Sequence, residues 1–145
     1  MVACAACGTD SASGPASLLP KDYAATYTMV RPCRLSGDHD LNYVTVMADS
    51  AAAGPYVMRT TDFPEGSLVV KEEHDPGDMD CSGPIITWTL MQRLATGSSP
   101  DTDDWTWQRL DAKGHVMTEN DNNCISCHKT CGVPPDGYEG TCSMP

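Results

Sequence analysis

Apolar and polar residues alternate through much of this chain with a period of two rather than 3.6, which predicts strands more than helices. In LNYVTVMAD, residues 41–49, Leu41, Tyr43, Thr45 and Met47 share one face while Asn42, Val44 and Val46 share the other, the pattern of a strand on a pleated sheet. SLVVKEE at 67–73 follows the break Phe63-Pro64-Glu65-Gly66 and places Lys71 on the face of Ser67 and Val69. IITWTLMQRL at 85–94 is the longest run of β-formers, and WTWQRLD at 105–111 is a fourth strand turned by Ala112-Lys113-Gly114. The connections HDPGDMDCSGP and GSSPDTDD are turn chemistry. One segment departs from the alternation. In LLPKDYAATYTMVRPCR at 18–34, Leu18, Tyr23, Tyr27 and Val30 recur at threes and fours, which predicts a helix started by Pro20 and stopped by Pro32. Residues 51–66 read as a loop or a short turn of helix broken by Gly54-Pro55.

Strands at regular spacing with short turns predict a mainly β (α+β) fold: an antiparallel β-meander or sandwich-like sheet, with an N-terminal helix and a short C-terminal helix. Trp88, Trp105 and Trp107 are assigned to its core, because the chain has one Phe to supply large apolar anchors.

The chain has 145 residues and a net charge of −11, with nine Lys and Arg against twenty Asp and Glu. That balance argues against nucleic acid or an anionic membrane surface as a partner, and favours small molecules or basic proteins. No apolar run approaches the ~20 residues of a membrane-spanning helix. MVACAACGTDSASGPAS resembles the end of a lipoprotein signal, with Cys4 as the lipidation candidate and residues 1–17 as a flexible tether. A disordered terminus with two spare thiols explains it equally well. Residues 18–145 are expected to form the domain.

Eight cysteines are many for this length, and four chemical groups crowd into DNNCISCHKTC at 121–131: Cys124, Cys127, His128 and Cys131. C-x-x-C-H is the attachment sequence of a c-type haem, whose two thiols add to the vinyl groups while the next histidine ligates iron. A shuffled chain of this composition would contain it about 0.01 times. Cys4-Ala5-Ala6-Cys7 lacks the histidine, being followed by Gly8. Structural zinc competes, with Cys4, Cys7, Cys124 and Cys127 or with Cys124, Cys127, His128 and Cys131 as ligands. The first set spans far more chain than zinc ribbons use, and the second crowds four ligands into a turn or two of helix. A redox dithiol fits less well, since it belongs early in a βαβ fold. Cys33, Cys81, Cys131 and Cys142 remain as an even set suited to an oxidising compartment. Sequence leaves their three pairings open; Cys33–Cys81 and Cys131–Cys142 are the expected pairs.

The order of FPEGSLVVKEE at 63–73, DWTWQRLDAKG at 104–114 and CISCH at 124–128 resembles the cytochrome P-460 and cytochrome c′-beta family over most of residues 20–130. The resemblance implies one covalently bound haem c on an antiparallel β domain, with His128 proximal and a distal face open to small molecules. P-460 members oxidise hydroxylamine and handle nitric oxide with a haem cross-linked to a lysine, for which Lys71 is the candidate here. The c′-beta members lack the link and bind nitric oxide and carbon monoxide. A lysine late in a strand is also expected at a solvated edge. The family's oxidation enlists a distal carboxylate, yet no Glu lies between Glu73 and Glu119, so hydroxylamine or nitric oxide oxidation stays open. The tail after CISCH adds Cys131 and Cys142 to the family pattern.

A ligand-binding cytochrome is therefore the first reading, with a small molecule at the haem iron and a redox partner protein. An electron carrier with Met47, Met58, Met79, Met91 or Met117 as distal ligand is the second, and a zinc-stabilised module the third. His39, His74 and His115 are expected in exposed loops, with a second axial ligand among them as the exception. Asp75, Asp78 and Asp80 read as a solvated turn rather than a calcium loop. A periplasmic or extracytoplasmic location follows from the thiol chemistry, with membrane anchoring through Cys4 and a homodimer both open.

Overall fold

The computed structural model describes residues 14–142. Six strands, β1 (Thr28–Leu35), β2 (Tyr43–Ala48), β3 (Leu68–His74), β4 (Ile85–Arg93), β5 (Trp105–Asp111) and β6 (Val116–Glu119), form one antiparallel sheet in chain order. Each strand pairs with its sequence neighbour, so short turns suffice as connections. Among the described residues three α-helices accompany them: α1 (Tyr23–Thr26), α2 (Ala53–Met58) and α3 (Asn122–Cys131).

Alternation along the strands gives the sheet two apolar faces. Met47, Leu68, Val70, Leu90 and Leu110 are buried on one face with Tyr23, and Leu18, Leu19 and Tyr27 pack over them. Val46, Ala48, Val69, Met91, Trp105 and Trp107 are buried on the other with Tyr56 of α2 and Phe63, and Cys124 and Ile125 of α3 pack against them. Burying each large apolar side chain stabilises by about 1.5–3 kcal/mol. The first face carries a polar chain as well: Trp88 Nε1 donates to Tyr23 Oη at 2.9 Å, which donates to Glu72 at 2.7 Å. Trp105 and Trp107 are buried as expected, and Trp88 is partly buried.

The N-terminal segment corrects the expected long helix. Only Tyr23–Thr26 is helical; Thr28–Leu35, with Pro32 inside it, is edge strand β1. The spacing of Leu18, Tyr23, Tyr27 and Val30 arises because the segment wraps the sheet, with the first three on one apolar face and Val30 on the other. Pro32 is tolerated because the β1–β2 register shifts between Arg31 and Arg34, and a bulge on an edge strand needs no N–H there. The chain is already fixed at Ala16, whose carbonyl accepts from Gln108 Nε2 at 2.9 Å, while Leu18 N donates to Gln108 Oε1 at 2.8 Å. Cys4 lies outside the described residues.

Both expected disulfides are present: Cys33–Cys81 joins β1 to the β3–β4 loop, and Cys131–Cys142 closes the tail behind α3.

Candidate functional site

Helix α3 starts at Asp121, whose carboxylate accepts from Asn123 N at 2.8 Å, an N-cap that satisfies one of the free amides of the first turn. Its spacing brings Cys124 next to both Cys127 and His128, at i+3 and i+4. Cys124 is partly buried and Cys127 exposed, and both are free thiols. Burial, then the Asp121 charge, pushes the Cys124 thiol above its ordinary range.

His128 is held from behind by the tail. Its Nδ1 lies 2.7 Å from the carbonyl oxygen of Gly140, and burial pushes its pKa down to about 4. A neutral ring facing a carbonyl must carry its proton on Nδ1, which leaves the Nε2 lone pair free to bind a metal. The tail is itself braced. Gly140 N donates to Gly132 O at 2.9 Å, Trp105 Nε1 donates to Glu139 O at 2.8 Å, and the Cys131–Cys142 bond closes the loop. Gly140 has φ +83°, and a Cβ there would stand 2.8 Å from Trp105 Nε1; only glycine fits.

Between α3 and the sheet lies a cavity of about 370 Å³, within the range of small-molecule and cofactor sites. Val69, Met91 and Trp107 form apolar wall, and Lys71, Glu73 and His39 form polar wall. The loop 36–42 closes one side. Its ends join through Ser36 N to Asn42 O at 2.9 Å, Asn42 Nδ2 donates to Glu73 at 3.0 Å, and Asp40 meets Arg109 at 3.4 Å.

Lys71 is not at a solvated edge. Strand β3 lies inside the sheet, Lys71 pairs with Val46 and Thr89, and its side chain enters the cavity. Burial pushes its pKa down to about 8, against the opposing pull of Glu73. Lys71 Nζ lies 2.8 Å from His39 Nε2, and Ser36 Oγ lies 2.8 Å from His39 Nδ1. Burial, and then the Lys71 charge, pushes His39 down to about 3. A neutral His39 therefore gives its Nδ1 proton to Ser36 and accepts from Lys71 at Nε2.

His39 corrects the expectation of an exposed loop residue, and so does His74, which is 3% exposed at the end of β3 and lies 3.2 Å from Asp78. His115 is exposed as expected, 3.1 Å from Asp111. Neither His74 nor His115 lines the cavity. Of the five methionines considered as distal ligand, Met91 and Met117 line it, Met47 is on the opposite face, and Met58 and Met79 are exposed. Asp75, Asp78 and Asp80 accept from the turn amides of Gly77, Ser82 and Gly83. Cys131 is engaged in its disulfide, so the local zinc set loses its fourth ligand.

Glu73 was missed. It is 1% exposed in the cavity wall and accepts from Asn42 and, at 3.2 Å, from Thr89 Oγ1. The signal was in the strand period, because two residues beyond Lys71 returns to the same face.

These residues fit a covalently held haem. Two free thiols three residues apart adjoin a histidine whose ligating nitrogen is unprotonated, beside a partly apolar cavity of cofactor scale. Among known families, the model described as Cytochrome P460 matches residues 20–132. No curated protein matches the chain.

Proposed function

The chain belongs to the cytochrome P460 family, whose members are c-type haem proteins, and on that premise we propose that it carries one haem c and binds or oxidises small nitrogen ligands such as hydroxylamine or nitric oxide. Cys124 and Cys127 would hold the haem by thioether bonds, and His128 Nε2 would bind its iron. Bound haem supplies an iron centre that coordinates a small molecule and exchanges single electrons. The observation that carries this reading is the hydrogen bond from His128 Nδ1 to Gly140 O, the outer partner that fixes a ligating imidazole.

The protein's own groups do the remaining work. The tail orients His128, Val69, Met91 and Trp107 give the cavity an apolar wall, and Lys71, His39 and Glu73 supply polar contacts. Electrons leave to a redox partner protein. The two disulfides, Cys33–Cys81 and Cys131–Cys142, support a periplasmic or extracytoplasmic setting.

The electron-carrier reading keeps one observation in its favour, since Met91 is both buried and on the cavity wall. Absorption spectra of the purified protein, oxidised, reduced, and reduced under carbon monoxide, separate the two. The open-site reading expects carbon monoxide to change the reduced spectrum. A low-spin spectrum that carbon monoxide leaves unchanged favours the electron-carrier reading instead. An ordinary c-type reduced spectrum removes a Lys71–haem bond.

A further inference from the structure

The polar wall of the cavity contains an unfinished hydrogen-bond arrangement. A lysine ammonium has three N–H donors. Among the described residues, the hydrogen-bond acceptor for Lys71 Nζ is His39 Nε2, at 2.8 Å. Glu73, the next residue on the same face of the strand, is turned to other donors: one oxygen accepts from Asn42 Nδ2 and the other from Thr89 Oγ1. Lys71 thus has one donor satisfied by the protein and two left over in the wall of a cavity shared with His128, Cys124 and Cys127. A partly buried ammonium that faces the cavity offers these donors to an acceptor there.

The imidazole is placed to hold this arrangement. Its Nδ1 is engaged by Ser36 Oγ at 2.8 Å, and its loop is pinned by Asn42 to Glu73 and by Asp40 to Arg109. His39 can therefore neither turn away nor donate to the cavity through Nε2 while it accepts from Lys71. It fixes where the amine points.

We propose that Lys71, positioned by His39, is the cationic hydrogen-bond donor for the ligand that the cavity takes, and that the pair selects small anions and polar acceptors over apolar gases. The inference rests on the haem reading above and adds a specificity determinant to it. Lys71 would touch the ligand; His39 is a positioning residue that acts through Lys71.

Two probes test it on the haem-loaded protein: azide, followed by absorption of the oxidised form, and carbon monoxide, followed by the C–O stretch of the reduced form. Lys71→Met is expected to weaken azide about tenfold or more, the value of a charge-assisted hydrogen bond, and to raise the C–O stretch. His39→Ala should move both readouts the same way, and His39→Gln, which keeps an acceptor, should restore most of the change. Unchanged azide affinity and C–O stretch in Lys71→Met would overturn the inference while leaving the haem reading intact. A shift in His39→Ala without one in Lys71→Met would also overturn it, since His39 would then act by itself. Recovery of haem on the Lys71 peptide after proteolysis overturns it too, because the amine would be consumed. A protein that binds neither probe overturns both this inference and the open-site reading.

Discussion

Replacing Gly140 by alanine tests the brace behind His128. Gly140 has φ +83°, a conformation that costs an L residue about 1–2 kcal/mol. The new Cβ would also stand 2.8 Å from Nε1 and 3.0 Å from Cδ1 of Trp105. Trp105 is 1% exposed, donates to Glu139 O and stacks edge-on with Phe63 at 5.2 Å, so it cannot swing aside. Overpacking of this kind adds about 1–3 kcal/mol, for a total of about 2–5 kcal/mol. Gly114 provides the control, since its φ is +82° with nothing within 4 Å. Gly114→Ala should show the backbone share alone, about 1–2 kcal/mol. Urea unfolding with both disulfides intact reads the two midpoints at a common slope. A Gly140→Ala midpoint that matches Gly114→Ala would refute the claim that the tail is wedged against Trp105.

Other expectations follow from the same geometry. Burying Lys71 as an ammonium disfavours the fold below its unfolded pKa: with the folded value near 8 and the ordinary value 10.5, stability from this group rises as pH climbs from about 8 to 10.5. Lys71→Met should accordingly raise stability at pH 7 by about 1–3 kcal/mol, read by the urea midpoint, even as ligand binding weakens. In the haem-free protein, His128 and His39 fold with values of about 4 and about 3 against 6.5. Both are depressed bases, so the unfolded chain binds more protons and stability should fall as pH drops from about 6.5 towards 3; a flat profile of midpoint against pH contradicts their burial. Glu73→Ala leaves Asn42 Nδ2 and Thr89 Oγ1 without their acceptor and should lower stability by about 1–3 kcal/mol, with Glu73→Gln milder. Removing Cys33–Cys81, which spans 48 residues, should destabilise by about 4 kcal/mol on the loop-entropy scale, against about 3 for Cys131–Cys142.

Most of the sheet was legible because its strands alternate strictly, as in residues 41–49 and 67–73, and because Gly, Pro and Asp mark the turns between them. Strand β1 was hidden for a physical reason. Its residues bulge around Pro32 at an edge, and the segment before it crosses from one side of the sheet to the other, which mimics helical spacing. Strand β6 is four residues long with one partly buried side chain, too little for a pattern. At the site, CISCH announces itself because thiol and imidazole chemistry demands adjacency in sequence. The rest of the wall comes from separate elements. His39 looks like any polar loop histidine until loop 36–42 folds onto Lys71, and only tertiary packing brings residues 32 positions apart to 2.8 Å. The partner of His128 is a backbone carbonyl 12 residues later, for which no side chain serves as a signal.

The claim that Cys124, Cys127 and His128 form a covalent haem site is tested most directly by mass spectrometry of the protein in denaturing solvent, after expression with haem-maturation machinery. The account predicts the chain mass plus one haem, with the haem located by proteolysis on the peptide that contains Cys124 and Cys127. Recovery of the bare chain mass, with any pigment released into acidified organic solvent, would contradict it.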